Sequence, residues 1–173
     1  MNHDAYSDEY ISGILKSIKS IAMVGASANE VRPSFFVLKY LKARGYAMYP
    51  INPGLAGKTI LDLPVYASLA DLPEPVDMVD IFRNSEAAGA VVDDVLALAS
   101  PPKVIWMQLT VRNDAAAARA EAAGIKVVMN RCPKIEYGRL SGEIGWAGVN
   151  SRALSSKRPN RDLRGFQRLG LRD

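Results

Sequence analysis

The chain has 173 residues, 49% of them apolar and 23% charged, enough for one domain with a buried core. No apolar run is long enough to span a bilayer, and the polar, acidic start "MNHDAYSDEY" does not fit a secretory signal. With Cys132 the only cysteine, no internal disulfide can form, and a cytoplasmic setting is the simplest expectation.

In chain order, Ser7 is placed to cap a helix in which Ile11, Ile14, Leu15 and Ile18 form an apolar stripe. "SIAMVG" (20–25), "YAMYPIN" (46–52), "VDMVDIF" (76–82), "KVIWMQL" (103–109) and "KVVMNRC" (126–132) are apolar runs without strict polar alternation, as in strands covered on both faces. Helical patterns fill 33–45, 85–100 and 112–124, with Pro33 suited to a first helical position and Gly45 and Gly124 to helix ends. "VYASLADLP" (65–73) reads as a short strand or a loop crossing. The fold expected is α/β: one three-layer domain with a parallel, doubly wound sheet, over residues 1–150. Residues 151–173 carry seven Lys or Arg against Asp162 and Asp173, net +5 where the whole chain has +4, which leaves 1–150 at −1. The stretch has one aromatic, Phe166, and reads as a basic, flexible tail rather than a nucleic-acid-binding element.

Ligands of such sheets bind beyond the carboxyl ends of the strands. "VGASANEVRPS" (24–34) combines a turn at Gly25 with a helix start at Pro33, and Ser27, Arg32 and Ser34 add donors, a pattern suited to a diphosphate. The NAD fingerprint does not fit. In Gly25-Ala26-Ser27-Ala28-Asn29-Glu30 the second and third glycines are missing, and the second strand ends in "YPINP" with no carboxylate for a ribose. His3, the only histidine, falls in a start expected to be mobile. "NPGLAGKT" (52–59) resembles a Walker A loop, but Asn52 replaces the first glycine and "ILDLPVY" follows where a helix is required. Asn52 and Pro53, at the end of the second strand, are its informative residues, and Lys58 is a candidate phosphate contact. Phe82, Arg83 and Asn84 end the third strand, suited to a base, a phosphate and a helix cap. Gln108 ends the fourth, within amide reach of a ligand, while Trp106 and Met107 read as packing residues. Cys132 ends the last strand beside Arg131 and Lys134, which would lower its thiol pKa, but no histidine is available there as a base and an inert thiol is the expectation. No metal-ligand cluster is evident.

"IAMVGASANEVRPSFFVLKYLKARGYAMYPINP", "VDMVDIFR", "KVIWMQ" and "GIKVVMNRCP" together resemble the small bacterial and archaeal CoA-binding proteins, over residues 10–140. Their domain is similar to the nucleotide-binding domain of the succinyl-CoA synthetase alpha subunit. The resemblance implies a Rossmann-like, NAD(P)-binding-like fold holding coenzyme A at the strand ends. It implies that Gly25, Ala26 and Ser27 meet the diphosphate, and it matches Arg32, Pro33 and Ser34 to the family's R-P-S step and Asn52 and Pro53 to its N-P step. Phe82 and Arg83 would lie near the adenosine half. The family often has a lysine after N-P where this chain has Gly54, so Lys58, Arg32 and Arg83 are the candidates for the 3′-phosphate. It usually has Q-x-G where this chain has Gln108-Leu109-Thr110, and the synthetase's phosphorylated histidine has no counterpart. The function expected is non-catalytic binding of coenzyme A or an acyl-CoA. A redox role of Cys132 or partner-dependent acyl-CoA chemistry is the alternative, and a homodimer or protein partner stays open.

Overall fold

The structure, a computed structural model, describes residues 2–142, so the basic stretch 151–173 lies outside the described residues. The first helix, α1 (Asp8–Ser17), starts where Ser7 Oγ accepts the Tyr10 N–H at 3.2 Å. Asp8 and Glu9 in its first turn and Lys16 in its last complement the helix dipole. Strand β1 (Ser20–Val24) leads into α2 (Pro33–Ala43) and back into β2 (Ala47–Ile51). After a hairpin, β3 (Thr59–Ile60) and β4 (Leu63–Pro64), the chain returns through β5 (Met78–Ile81), α3 (Ser85–Leu96), β6 (Val104–Met107), α4 (Asp114–Ala122), β7 (Lys126–Val128) and α5 (Pro133–Ser141).

The main sheet is parallel throughout, in the order β2-β1-β5-β6-β7. Chain progression reverses between β1 and β5, which makes their carboxyl ends the switch point of a Rossmann-like fold. Successive residues feed opposite layers because side chains alternate along a strand. Ile21, Met23, Met78, Val104, Trp106 and Val128 pack beneath α1, α2 and α5, while Ala22, Val79, Ile81, Ile105, Met107 and Val127 pack beneath α3 and α4. Each fully buried Leu or Ile, such as Leu38 and Leu41 of α2, contributes about 2 kcal/mol of transfer free energy.

Three expectations change, and one open alternative is decided. Residues 65–73 form a loop crossing, with one bridge from Tyr66 to Ile51 and a 3-10 turn at Leu69–Asp71. The last strand stops at Val128 rather than reaching Cys132. Asn130, at φ 53°, turns the chain, and Cys132 becomes the N-cap of α5. The segment before α1 is packed rather than mobile. Tyr6 and Tyr10 stack with centroids 5.9 Å apart, and the Met129 N–H donates to the Tyr6 hydroxyl at 2.8 Å. His3 therefore belongs to the folded body: it is buried, with Nδ1 2.9 Å from the Tyr6 hydroxyl and Nε2 3.4 Å from Glu121.

At the opposite edge of the sheet, Asp77 accepts the Lys19 N–H at 2.8 Å and pairs with Lys103 at 2.7 Å, joining the starts of β1 and β6. Among the described residues, no helix is long and apolar enough to cross a membrane, and no three His, Cys, Asp or Glu are grouped to hold a metal.

Candidate functional site

The loop after β1 turns at Gly25 with φ 90°, a conformation that side chains strain to adopt. A Cβ there would sit 2.6 Å from the Phe82 carbonyl oxygen and 3.2 Å from Arg83 Cδ, so the end of β5 itself requires glycine. The N–H groups of Gly25 and Ala26 both donate to the Ile51 carbonyl, at 3.0 and 3.2 Å. Those two amides brace the switch point. Ser27 Oγ accepts the Asn29 N–H and Asn29 Oδ1 accepts the Val31 N–H, each at 3.1 Å. The chain then enters α2 at Arg32, whose side chain makes no capping bond, with Pro33 first in the helix and Ser34 buried. The positive end of α2 thus faces the carboxyl edge without a side-chain cap.

Asn52 joins two loops: its Nδ2 donates to the Ala26 carbonyl at 2.7 Å and its Oδ1 accepts the Gly54 N–H at 2.9 Å. Pro53 opens a 3-10 turn, and the backbone of Lys58 is spent on Leu55 and Val65.

A cavity of about 810 Å³ opens between the amino ends of α2 and α5 and the carboxyl ends of β5 and β6. It brings together Pro33, Phe82, Arg83, Asn84 and Gln108 of the residues expected from the sequence. Gly25, Ala26, Ser27, Arg32, Ser34, Asn52, Pro53 and Lys58 are not among its walls. Val31, Phe36 and Ile135 also line it without having been singled out, and Leu109, Thr110 and Lys134, named from the sequence only as neighbours of Gln108 and Cys132, line it too. Phe36 lies one turn after Pro33, and Leu109 and Thr110 directly follow Gln108, so adjacency to the flagged residues was the available signal. Lys134 and Ile135 sit on α5, whose apolar periodicity is weak.

The cavity mouth is unusually apolar. Among the described residues, the large apolar side chains left exposed are Val31 (77%), Phe36 (50%), Leu109 (48%) and Ile135 (45%), and all four line this cavity. The Lys134 ammonium lies over the Phe36 and Tyr40 rings, at 6.0 and 5.7 Å from their centroids. In the floor, Gln108 Nε2 donates to both oxygens of Asp80, at 2.9 and 3.1 Å. Burial pushes the Asp80 carboxyl up to about 8, against the lowering effect of Gln108. Burial also raises the Cys132 thiol, outweighing the lowering effect of Lys134, so a thiolate is disfavoured there.

The lower rim is cross-braced. Asn84 Oδ1 caps α3 by accepting the Ala87 N–H at 2.8 Å. Ser85 Oγ accepts the Arg112 N–H at 3.0 Å, and Asn113 Nδ2 donates to the Ser85 carbonyl at 2.9 Å. Thr110, where the resembled family has glycine, takes φ 68°, and its N–H donates to Asn130 Oδ1 at 2.9 Å. The glycine-like backbone is kept without the glycine. The arrangement suits an anionic ligand with a sizeable apolar portion.

Residues 19–138 match a family described as CoA binding domain. A Bacillus subtilis (strain 168) relative, "Uncharacterized protein YneT", is 32% identical over 73% of this chain and 91% of its own length. A solved structure, "hypothetical protein from Pyrococcus horikoshii OT3", superposes with a TM-score of 0.73 at 35% identity, covering 81% of this chain and 96% of its own. "Acetate--CoA ligase [ADP-forming] II" of Archaeoglobus fulgidus is 40% identical over 81 residues, 46% of this chain but 11% of the ligase.

Proposed function

The chain belongs to the CoA-binding domain family, and from that membership we propose that it binds coenzyme A or an acyl-CoA at the carboxyl edge of its sheet. One observation carries the reading: every wall of the large cavity, from Val31 to Ile135, falls inside the matched span 19–138. Likeness to 11% of a CoA ligase supports the view that the shared portion is a ligand-holding unit. The anionic half lies against the Ser27–Ser34 segment, the open end of α2 and Arg83, with Phe82 along the base. Asn84 and Gln108 complete the edge. Gly25, Ala26, Asn52 and Pro53 act by fixing the loops, since their polar groups are engaged with the chain itself. Binding resides in residues 1–150, and 151–173 take no part in it.

Calorimetry against CoA, dephospho-CoA, ATP and NAD tests the reading. CoA should bind, with ATP and NAD weaker by at least tenfold. Removing a charged hydrogen bond to a phosphate costs about 1.5–3 kcal/mol, so Arg83→Ala and Arg32→Ala should each weaken CoA binding by about tenfold or more. Whichever of Arg83→Ala, Arg32→Ala and Lys58→Ala abolishes the preference for CoA over dephospho-CoA identifies the 3′-phosphate partner. Full CoA affinity in both arginine variants would overturn the site.

A further inference from the structure

We propose that the site is built for acyl-CoA thioesters rather than free CoA, with an aliphatic acyl chain lying between Phe36 and Leu109 and reaching Ile135. The inference rests on CoA being the ligand, and it concerns the part of the cavity that CoA's polar groups do not explain. A monomer seldom leaves its exposed large apolar side chains gathered at one place unless something covers them. Here Val31, Phe36, Leu109 and Ile135 come from three separate segments, the β1–α2 loop and α2, the end of β6, and α5, and converge on one mouth.

The charges are arranged to match. Arg83 stands at the β1 side, its Cδ directly above Gly25, next to the uncapped end of α2. The phosphates belong there. Across the mouth the only charge on the α5 wall is Lys134, and its ammonium is drawn back over the Phe36 and Tyr40 rings. A ligand anchored at Arg83 therefore runs toward a wall of hydrocarbon. Free CoA would end there in a thiol and leave that wall wet, whereas a thioester with several methylenes covers it. The floor supports the same choice, because Gln108 spends its amide N–H groups on Asp80. Lys134 is held over the rings and Gln108 has no free amide donor for a second carboxylate, so monocarboxylic acyl groups are favoured over dicarboxylic ones.

The experiment is calorimetry of the full chain with CoA and its acetyl, butyryl, hexanoyl, octanoyl and succinyl thioesters, repeated on Phe36→Ser and Leu109→Ser. Both side chains are about half exposed, so neither variant should fail to fold. Affinity should rise about fourfold per added methylene up to hexanoyl, the equivalent of the roughly 0.8 kcal/mol of a buried CH₂. Succinyl-CoA should bind no better than acetyl-CoA. Within each variant the dependence on chain length should fall to half or less. A flat series with CoA still bound overturns the acyl inference and leaves the proposed function standing, whereas no binding of CoA or any thioester removes both. An undiminished chain-length dependence in both variants would place the acyl group elsewhere and overturn the inference. So would a flat series with self-association, seen by light scattering, that the variants lose, since the apolar mouth would then be a subunit interface.

Discussion

At Thr110 a β-branched side chain sits at φ 68°, which costs about 1–2 kcal/mol of backbone strain that a glycine would not incur. Thr110→Gly relieves more strain than it adds in unfolded-chain entropy, and it should raise the denaturant midpoint by the equivalent of about 0.5–1 kcal/mol. Gly25→Ala has the opposite sign. Its Cβ meets the Phe82 carbonyl at 2.6 Å on top of an unfavourable φ, and chemical denaturation should show a loss of at least about 2 kcal/mol. Asp80 sets the pH response. Its folded value of about 8 exceeds the roughly 3.9 of an unfolded aspartate, so between those limits the folded state holds the extra proton. Stability from this group is full below pH 4 and is lost as pH rises through 8, at up to about 1.4 kcal/mol per unit. Asp80→Asn should flatten urea midpoints measured from pH 5 to 8 and be the more stable protein at the upper end.

Elements differ in how much of them the sequence discloses. The five parallel strands were legible because burial on both faces leaves apolar runs such as "SIAMVG", and α2 and α3 because Pro33 and Asn84 mark their starts. The hairpin was not, since its turn uses Leu61 and Asp62 at φ 51° and 64°, a conformation usually signalled by Asn-Gly. α5 escaped because Glu136, Tyr137, Gly138 and Ser141 are buried, which is no hydrophobic stripe. Half of the cavity was hidden with it: Phe36 and Ile135 read as ordinary helix residues until the ends of α2 and α5 are placed side by side. Polar loop residues were easier to flag than to interpret, because Asn52 looks the same whether it meets a ligand or Ala26. Asn113 carries the element-level prediction. It caps α4 by accepting the Ala116 N–H at 2.9 Å and also holds the Ser85 carbonyl. Asn113→Ala should cost about 2 kcal/mol in urea, against about 1 for Asn84→Ala, which loses a cap alone.

For the whole molecule, the excess positive charge lies in 151–173 while the walls of the cavity lie between Val31 and Ile135. Removing residues 151–173 should leave CoA affinity within about twofold by calorimetry and abolish any steeply salt-dependent binding to DNA. The sheet, its two helical layers and the amino-terminal segment form one connected body, in which Tyr6 and Met129 meet across 123 positions of chain. The Met129 amide lies just past the end of β7, where no neighbouring strand protects it. Its deuterium uptake therefore times the departure of the first six residues rather than the opening of the sheet, and Tyr6→Phe would turn a slow-exchanging amide into a fast one while β6 and β7 stay closed.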